Sequence, residues 1–312
     1  MRKIGKNCCY IFSLCVIINS CNQEDSTSKV QIKKLNYPSA SAIEYYDGKL
    51  YVMGDDAVNM IVLDTDLAVI DSIPFFSFSE KRIPKDIKPD LEASAVDTNG
   101  NFFLFGSGSS AQRNSAWKYD LKTNNSDSIN LEPLYAKIKN AGIEQINIEG
   151  ACFISGKLML VNRGNKGYQH NQLIIVDKPF FKNDSTYKIS ILPFEIQKDT
   201  ASFKGISGLT SATQNDQLIM TVSTEDTRNA YDDGAIGKSY LWIIDNISNK
   251  LNADILKPDR IIDLEEIDPH FRGQKIESAT VIEETKNSIR LVLVADNDNG
   301  SSTIFKISIS KN

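Results

Sequence analysis

The chain has 312 residues, 41% apolar and 24% charged, which suits a protein that buries a core, and a formal charge of −5. An acidic chain of this size offers no general attraction for nucleic acid or anionic lipid. Only two histidines occur, His170 and His270, which excludes His-rich zinc, iron or copper centres. Cys8, Cys9, Cys15 and Cys21 crowd the N-terminus, so the body keeps Cys152 alone and has no internal disulfide.

The first element is an address. Arg2, Lys3 and Lys6 precede a short apolar run, Cys8 to Ile18, that ends in Asn19-Ser20-Cys21. A basic start, a short apolar core and a small residue before the cut describe a secretory signal over residues 1–20. The run is too short for a membrane-spanning helix. A cysteine directly after the small residue resembles the bacterial lipoprotein box, which implies lipidation of Cys21. A plain signal peptide is the alternative. Residues 21–29 read as a polar tether, and Glu24-Asp25 resembles the surface-export signal of some Gram-negative lipoproteins. The expected location is the outer membrane, periplasmic or surface-exposed, held through the lipid alone.

From residue 30 onward, β-branched and aromatic alternation replaces any helical period, apart from a short helix expected over Glu132 to Ala141. One pattern recurs five times: a polar residue, small residues, a strand, a tight turn and a second apolar strand. The copies begin at Ser39, Glu92, Glu149, Ser207 and Glu277, separated by 53, 57, 58 and 70 residues. A period of this size marks a propeller or an array. Each copy offers four strands except the last, which stops one short, and Val30 to Leu35 supplies a spare. The expectation is an all-β, five-bladed propeller over residues 30–312, closed by its N-terminal strand, with six blades as the alternative.

The links between first and second strands are short: Asp47-Gly48, Asn99-Gly100, Ser155-Gly156, Asn215-Asp216 and Lys286-Asn287. Hairpin chemistry of this kind leaves no room for a site there. The links between second and third strands are long and charged, and they emerge beside the starts of the innermost strands. Loops on a rigid scaffold carry function, so this loop face is where a site is expected. Innermost strands converge on an axis, where only small residues fit. Three glutamates facing each other across that axis repel unless something neutralises them. A calcium ion held by Glu92, Glu149 and Glu277 with Ser39 and Ser207 suits the all-oxygen donor set. A water-filled channel with raised carboxylate pKa values or lysine partners is the alternative. Arg113, Arg163 and Lys204 on or beside the long loops suit an anionic ligand.

The order Ser39, Glu92, Glu149, Ser207, Glu277 on successive inner strands resembles the calcium-activated nucleotidases, the soluble apyrases. Gly48-Lys49-Leu50-Tyr51 followed by Asp55-Asp56 is similar to that family's first hairpin with its paired aspartates. Glu149-Gly150-Ala151-Cys152 is similar to its Glu-Ser-Ala-Cys, and Ser223-Thr224-Glu225-Asp226 to its Ser-Glu-Glu stretch. Where the family continues with Arg-Thr-Gly, this chain has Ala57-Val58-Asn59. The resemblance implies a five-bladed propeller with calcium in the channel and hydrolysis of phosphoanhydrides or phosphoesters. On this reading Asp55 or Asp56 is the base and Glu225 lies at the ligand, with the loop cations Arg113, Arg163 and Lys204 binding its phosphate. The other class left open is a non-catalytic, monomeric lipoprotein that binds a glycan, peptide or partner protein through its loop face.

Overall fold

The computed structural model describes residues 30–178, 186–196, 203–225, 236–296 and 300–311. Residues 1–29, on which the expected signal, tether and Cys21 fall, lie outside them. The described strands form five antiparallel four-stranded sheets arranged as a propeller. A first strand, β1 (Gln31–Leu35), stands apart in sequence from the blade it joins. Blade one follows with β2 (Ala40–Tyr46), β3 (Lys49–Gly54), β4 (Asn59–Leu63) and β5 (Val69–Pro74). Blade two has β6 (Leu91–Val96), β7 (Asn101–Gly106), β8 (Ser115–Asp120) and β9 (Asn125–Asn130). Blade three has β10 (Ile148–Ile154), β11 (Lys157–Asn162), β12 (Gln172–Val176) and β13 (Ile189–Pro193). Blade four has β14 (Lys204–Ala212), β15 (Gln217–Glu225), β16 (Ile236–Asp245) and β17 (Arg260–Asp263). Blade five has β18 (Lys275–Glu284), β19 (Ser288–Asp296) and β20 (Ser302–Ser310), completed by β1.

Closure is therefore by the N-terminal strand. β1 runs antiparallel to β20, from Gln31 opposite Lys306 to Leu35 opposite Ser302. The fifth blade is complete with it, and the six-bladed alternative falls away. The expected helix is present as α1 (Glu132–Asn140), which turns Leu134, Tyr135 and Ile138 into the seam between blades two and three.

The core is five seams, one between each pair of neighbouring blades, rather than a single mass. Wedge-shaped blades can meet only along their faces, so each strand buries one side against each neighbour. Trp242, 1% exposed, fills the seam between blades three and four together with Met159, Ile206 and Met220. Near the axis the backbones come so close that side chains must shrink. A Cβ added at Gly150 would lie 2.5 Å from the Leu209 nitrogen, and one at Gly208 would lie 2.5 Å from the Glu277 carbonyl oxygen. The hairpins at the other end are tight: Asp47-Gly48 and Ser155-Gly156 both take positive φ at each residue, the geometry of a two-residue turn.

All five inner strands carry a β-bulge at the same height, near the loop face. The extra residue is Ser41 in β2, Glu92 in β6, Glu149 in β10, Ser207 in β14 and Glu277 in β18. A bulge bends its strand and re-aims one side chain. Here it defines a tier of five residues around the axis.

Candidate site at the channel mouth

The bulge tier confirms the relation among Glu92, Glu149, Ser207 and Glu277 and shifts it in blade one. Ser41, not Ser39, is the equivalent residue. The alternation Ser39-Ala40-Ser41-Ala42 reads equally well in two registers, and only the ladder chooses between them. Pro38 and Pro89 each stand three residues before their bulge, and aligning them would have found the register. Two residues before each bulge lies an outer tier of Ser39, Asp90, Asn147, Gly205 and Lys275. Ser39 and Asp90 share a left-handed backbone, with φ of 46° and 56°.

The two serines of the inner tier hold blades together. Ser41 Oγ donates to the Leu91 carbonyl at 2.5 Å, and Ser207 Oγ donates to the Ile276 carbonyl at 2.6 Å. In both cases the acceptor is the residue just before the next blade's glutamate. The three glutamates do not meet in one compact group. Among the described residues, the carboxylates close enough to share an ion are Asp55, Asp90 and Glu92, with one oxygen from each within 4.8 Å of the others.

Lys88 stands among them, pairing with Asp55 Oδ2 and, at 2.8 Å, with Asp90 Oδ1. Arg113 donates to the other oxygen of Asp90 at 2.7 Å and to Ser109 Oγ at 2.8 Å. Asp55 Oδ1 is buried without a hydrogen-bond partner. Burial pushes the Asp55 carboxyl up to about 6 against the pull of Lys88. Glu92 is partly buried beside them. That burial, with Asp90 and Asp55 beside it, holds its carboxyl well above the ordinary range. Burial lowers the Lys88 ammonium, and the carboxylates of Asp55, Asp90 and Glu92 more than reverse the effect.

On the opposite side, Arg163 Nη2 donates to Glu225 Oε2 at 2.8 Å and to Ser223 Oγ at 3.2 Å, and its Nη1 lies 3.6 Å from Glu149. Gly205 makes this reach possible, since a Cβ there would lie 2.4 Å from Arg163 Nε. Lys275 pairs with Glu277 at 2.9 Å and lies 3.6 Å from Glu225. Asn147 donates to Glu149 at 2.7 Å. Burial raises the Glu149 carboxyl to about 7, with Arg163 opposing. Asp56 Oδ1 and Glu277 Oε2 are, like Asp55 Oδ1, buried oxygens without a partner.

Of the sequence candidates, Asp55, Asp56, Arg113, Arg163 and Glu225 therefore all reach the mouth, each already engaged. Asp56 accepts from Arg82 Nε at 2.7 Å, and Arg82 also reaches Ser39 Oγ at 3.2 Å. Arg82 and Lys88 come from the connection between blades one and two, so a base reaches Asp56 from outside the Ala57-Val58-Asn59 stretch. Lys204 turns aside, its ammonium 4.9 Å from the centre of the Tyr240 ring. Sequence reasoning missed Arg82, Lys88, Asp90 and Lys275. The signal for Asp90 and Lys275 was the outer tier, legible only once the bulge register is known, whereas Arg82 and Lys88 lie in a connection that shares no repeat with the other blades.

Residues 36–309 match a family described as a family of unknown function, DUF6929. The chain belongs to that family. Among curated proteins, none matches it. Solved structures share the fold at low identity. A virginiamycin B lyase from Staphylococcus aureus is 10% identical over 89% of this chain and 99% of its own, with a TM-score of 0.41. The Myxococcus xanthus glutaminyl cyclase is 9% identical over 91% and 98%, with a TM-score of 0.44. The WD40 propeller domain of Doa1 is 10% identical over 88% and 96%, with a TM-score of 0.37. Such likeness concerns the path of the chain and leaves its chemistry to the side chains.

Proposed function

We propose that the protein is a lipid-anchored, monomeric propeller of the cell envelope that binds a divalent cation, calcium by ligand type, at its channel mouth. Around that ion the loop face holds a small anionic ligand or a glycan. The observation that carries this reading is the Asp55, Asp90 and Glu92 group, gathered within 4.8 Å with an orphaned oxygen on Asp55. The wider mouth points the same way. Asp55, Asp56, Asp90, Glu92, Glu149, Glu225 and Glu277 face Arg82, Lys88, Arg113, Arg163 and Lys275, which leaves two carboxylates without a positive charge. A hard cation with oxygen ligands and two charges suits that deficit.

Lys88 occupies the centre of the triad, so a cation and its ammonium compete for the same oxygens. An ion that wins releases Lys88 towards solvent as a partner for an anion. Arg113 and Arg163 are less available, because each would have to abandon a buried carboxylate. The test is calorimetric titration with calcium, alongside melting with and without chelator. Binding stabilises the folded state by mass action. Asp90→Asn should abolish the effect and Lys88→Met should tighten it. A protein that keeps the same melting temperature in calcium and chelator, and shows no heat of binding, has no such site.

The second reading, a phosphohydrolase, is favoured by Asp55, whose carboxyl at about 6 lies near the range of a general base at neutral pH. Asp56, fixed by Arg82, would orient the reacting group. Phosphate release from a panel of nucleotides and sugar phosphates with calcium present, lost in Asp56→Asn, supports hydrolysis. No release across the panel leaves the binding reading. Cys21→Ser should remove incorporation of labelled palmitate if the lipid anchor is correct.

A further inference from the structure

The hairpin end of the channel, where the short turns leave no room for a loop-built site, holds a cavity of about 570 Å³. The inner strand of every blade contributes to its wall, through Glu44, Ala95, Cys152, Thr210 and Thr280, and turn residues such as Asp97, Ser155 and Thr213 form its rim. The volume falls within the usual range for small-molecule pockets and far exceeds what one or two waters fill. It is independent of the loop-face mouth.

Its chemistry is one-sided. Glu44 is the acid of the wall, and its Oε1 accepts from Ser94 Oγ at 2.9 Å. Ser94 itself is 4% exposed, so the acid is held on a buried support. Asp97 stands at the rim, and Cys152 and Tyr45 are the other titratable groups of the lining; among the described residues, no lysine, arginine or histidine belongs to it. The contrast with the mouth is direct, since Asp55, Asp56, Asp90, Glu149, Glu225 and Glu277 there each pair with a lysine or arginine. Phe103 and Phe153, packed edge to face at 5.7 Å, add aromatic wall, and Thr210 and Thr280 add hydroxyls.

From this juxtaposition we propose that the hairpin end of the channel is a binding site for a small organic cation of the ammonium class, with Glu44 as its counter-ion. An anion would meet Glu44 and Asp97 with no compensating base. A neutral sugar would give the ionised form of Glu44 no charge partner. An ammonium group supplies the missing charge, its carbon substituents suit the aromatic wall, and the partly exposed Phe153 ring adds a surface to which cations are attracted. Burial raises the Glu44 carboxyl to about 8 while Ser94 opposes the shift. A cation of fixed charge therefore binds more tightly as pH rises through that value, because binding requires the ionised acid. The other titratable groups facing the cavity are Asp97 from the β6–β7 turn, Cys152 from β10 and Tyr45 beside Glu44 on β2.

The test uses the full chain and two probes, choline and its uncharged analogue with carbon in place of nitrogen. Calorimetry should show choline binding at millimolar concentration or below, with the analogue at least about tenfold weaker. Glu44→Gln, which keeps the shape and the Ser94 bond, should weaken choline at least about tenfold. Thr213→Trp at the exposed rim should block entry without touching the core. Asp90→Asn at the opposite mouth should leave choline binding unchanged, which separates this site from the metal reading. Bound choline should slow modification of Cys152 by a small thiol reagent, read by mass spectrometry of the peptide carrying it. Absence of binding by choline or phenylethylammonium up to about 10 mM overturns the proposal. Equal binding of the uncharged analogue, full binding by Glu44→Gln, or no protection of Cys152 overturns it as well.

Discussion

The two ends of one channel are built from the same five strands and solve the problem of a crowded axis in opposite ways. At the loop end, the bulges set glutamates around the axis, and the long loops and a connection between blades bring Arg82, Lys88, Arg113 and Arg163 over them. Charge is dense there and largely cancelled by ion pairs. At the hairpin end, two-residue turns bring nothing over the axis. One carboxyl stands among threonines, a thiol and aromatic carbon, and a cavity remains. Long loops import partners for buried charge, whereas short turns leave the inner strands to satisfy their own polar groups.

The comparison holds only while the ring is closed. β1 completes blade five, and without it β20 becomes an unpaired edge. A chain shortened to begin at Asn36 should lose cooperative unfolding and aggregate, whereas one beginning at Asn22 should melt normally. Equal melting of the two, followed by circular dichroism, would show that β1 is decoration.

A large effect is also expected from breaking the cancellation at the loop end. Arg163→Met strands Glu149 and Glu225 as buried charges, at a cost of about 3–5 kcal/mol. Denaturant titration at neutral pH reads this directly. Because those carboxyls can take up protons instead, part of the loss should be recovered in acid. A cost that does not fall with pH would mean that the arginine acts by packing.

At the hairpin end the same operation should reverse sign. Glu44 is raised from 4.5 to about 8 in the folded state. Such an acid binds its proton more tightly when folded, so its stabilising effect is present below the unfolded value and is lost as pH rises to the folded one. Glu44→Gln should match the wild type near about pH 4 and exceed it above about pH 8, by on the order of 3 kcal/mol. Melting curves across that range check it. A variant that is less stable at every pH would show that the carboxylate has a cationic partner after all.

The smallest effect tests the shared skeleton. Ser41→Ala and Ser207→Ala each remove a buried hydrogen bond between neighbouring blades, worth about 0.5–1.5 kcal/mol. The two should cost nearly the same, because they occupy equivalent bulges on blades one and four. They should also add in the double variant, since no side chain joins them.

Much of the fold was legible in the chain itself. Alternation located nearly every strand, Asp47-Gly48 and Ser155-Gly156 marked their turns, and the unpaired run Val30 to Leu35 announced the closure. The site was legible in part. Glu92, Glu149, Ser207 and Glu277 repeat at one structural position, and Asp55, Asp56, Arg113, Arg163 and Glu225 all reach one mouth. The slip from Ser41 to Ser39 has a simple cause. A period of two cannot distinguish a strand from itself shifted by two residues, and a bulge leaves no fixed mark in composition.

What the sequence determined is what local chemistry can express: strand period, turn type, the small residues demanded by a narrow axis, and the number of blades. Which charges meet was decided by the tertiary structure alone. Lys88 finds Asp55 across 33 positions of chain, and Arg163 finds Glu225 across 62. Such pairs are set by where separate blades and connections converge, and no local pattern encodes that distance. The cavity beside Glu44 belongs to the same class. It is a property of five strands at once, and no one of them carries its signature.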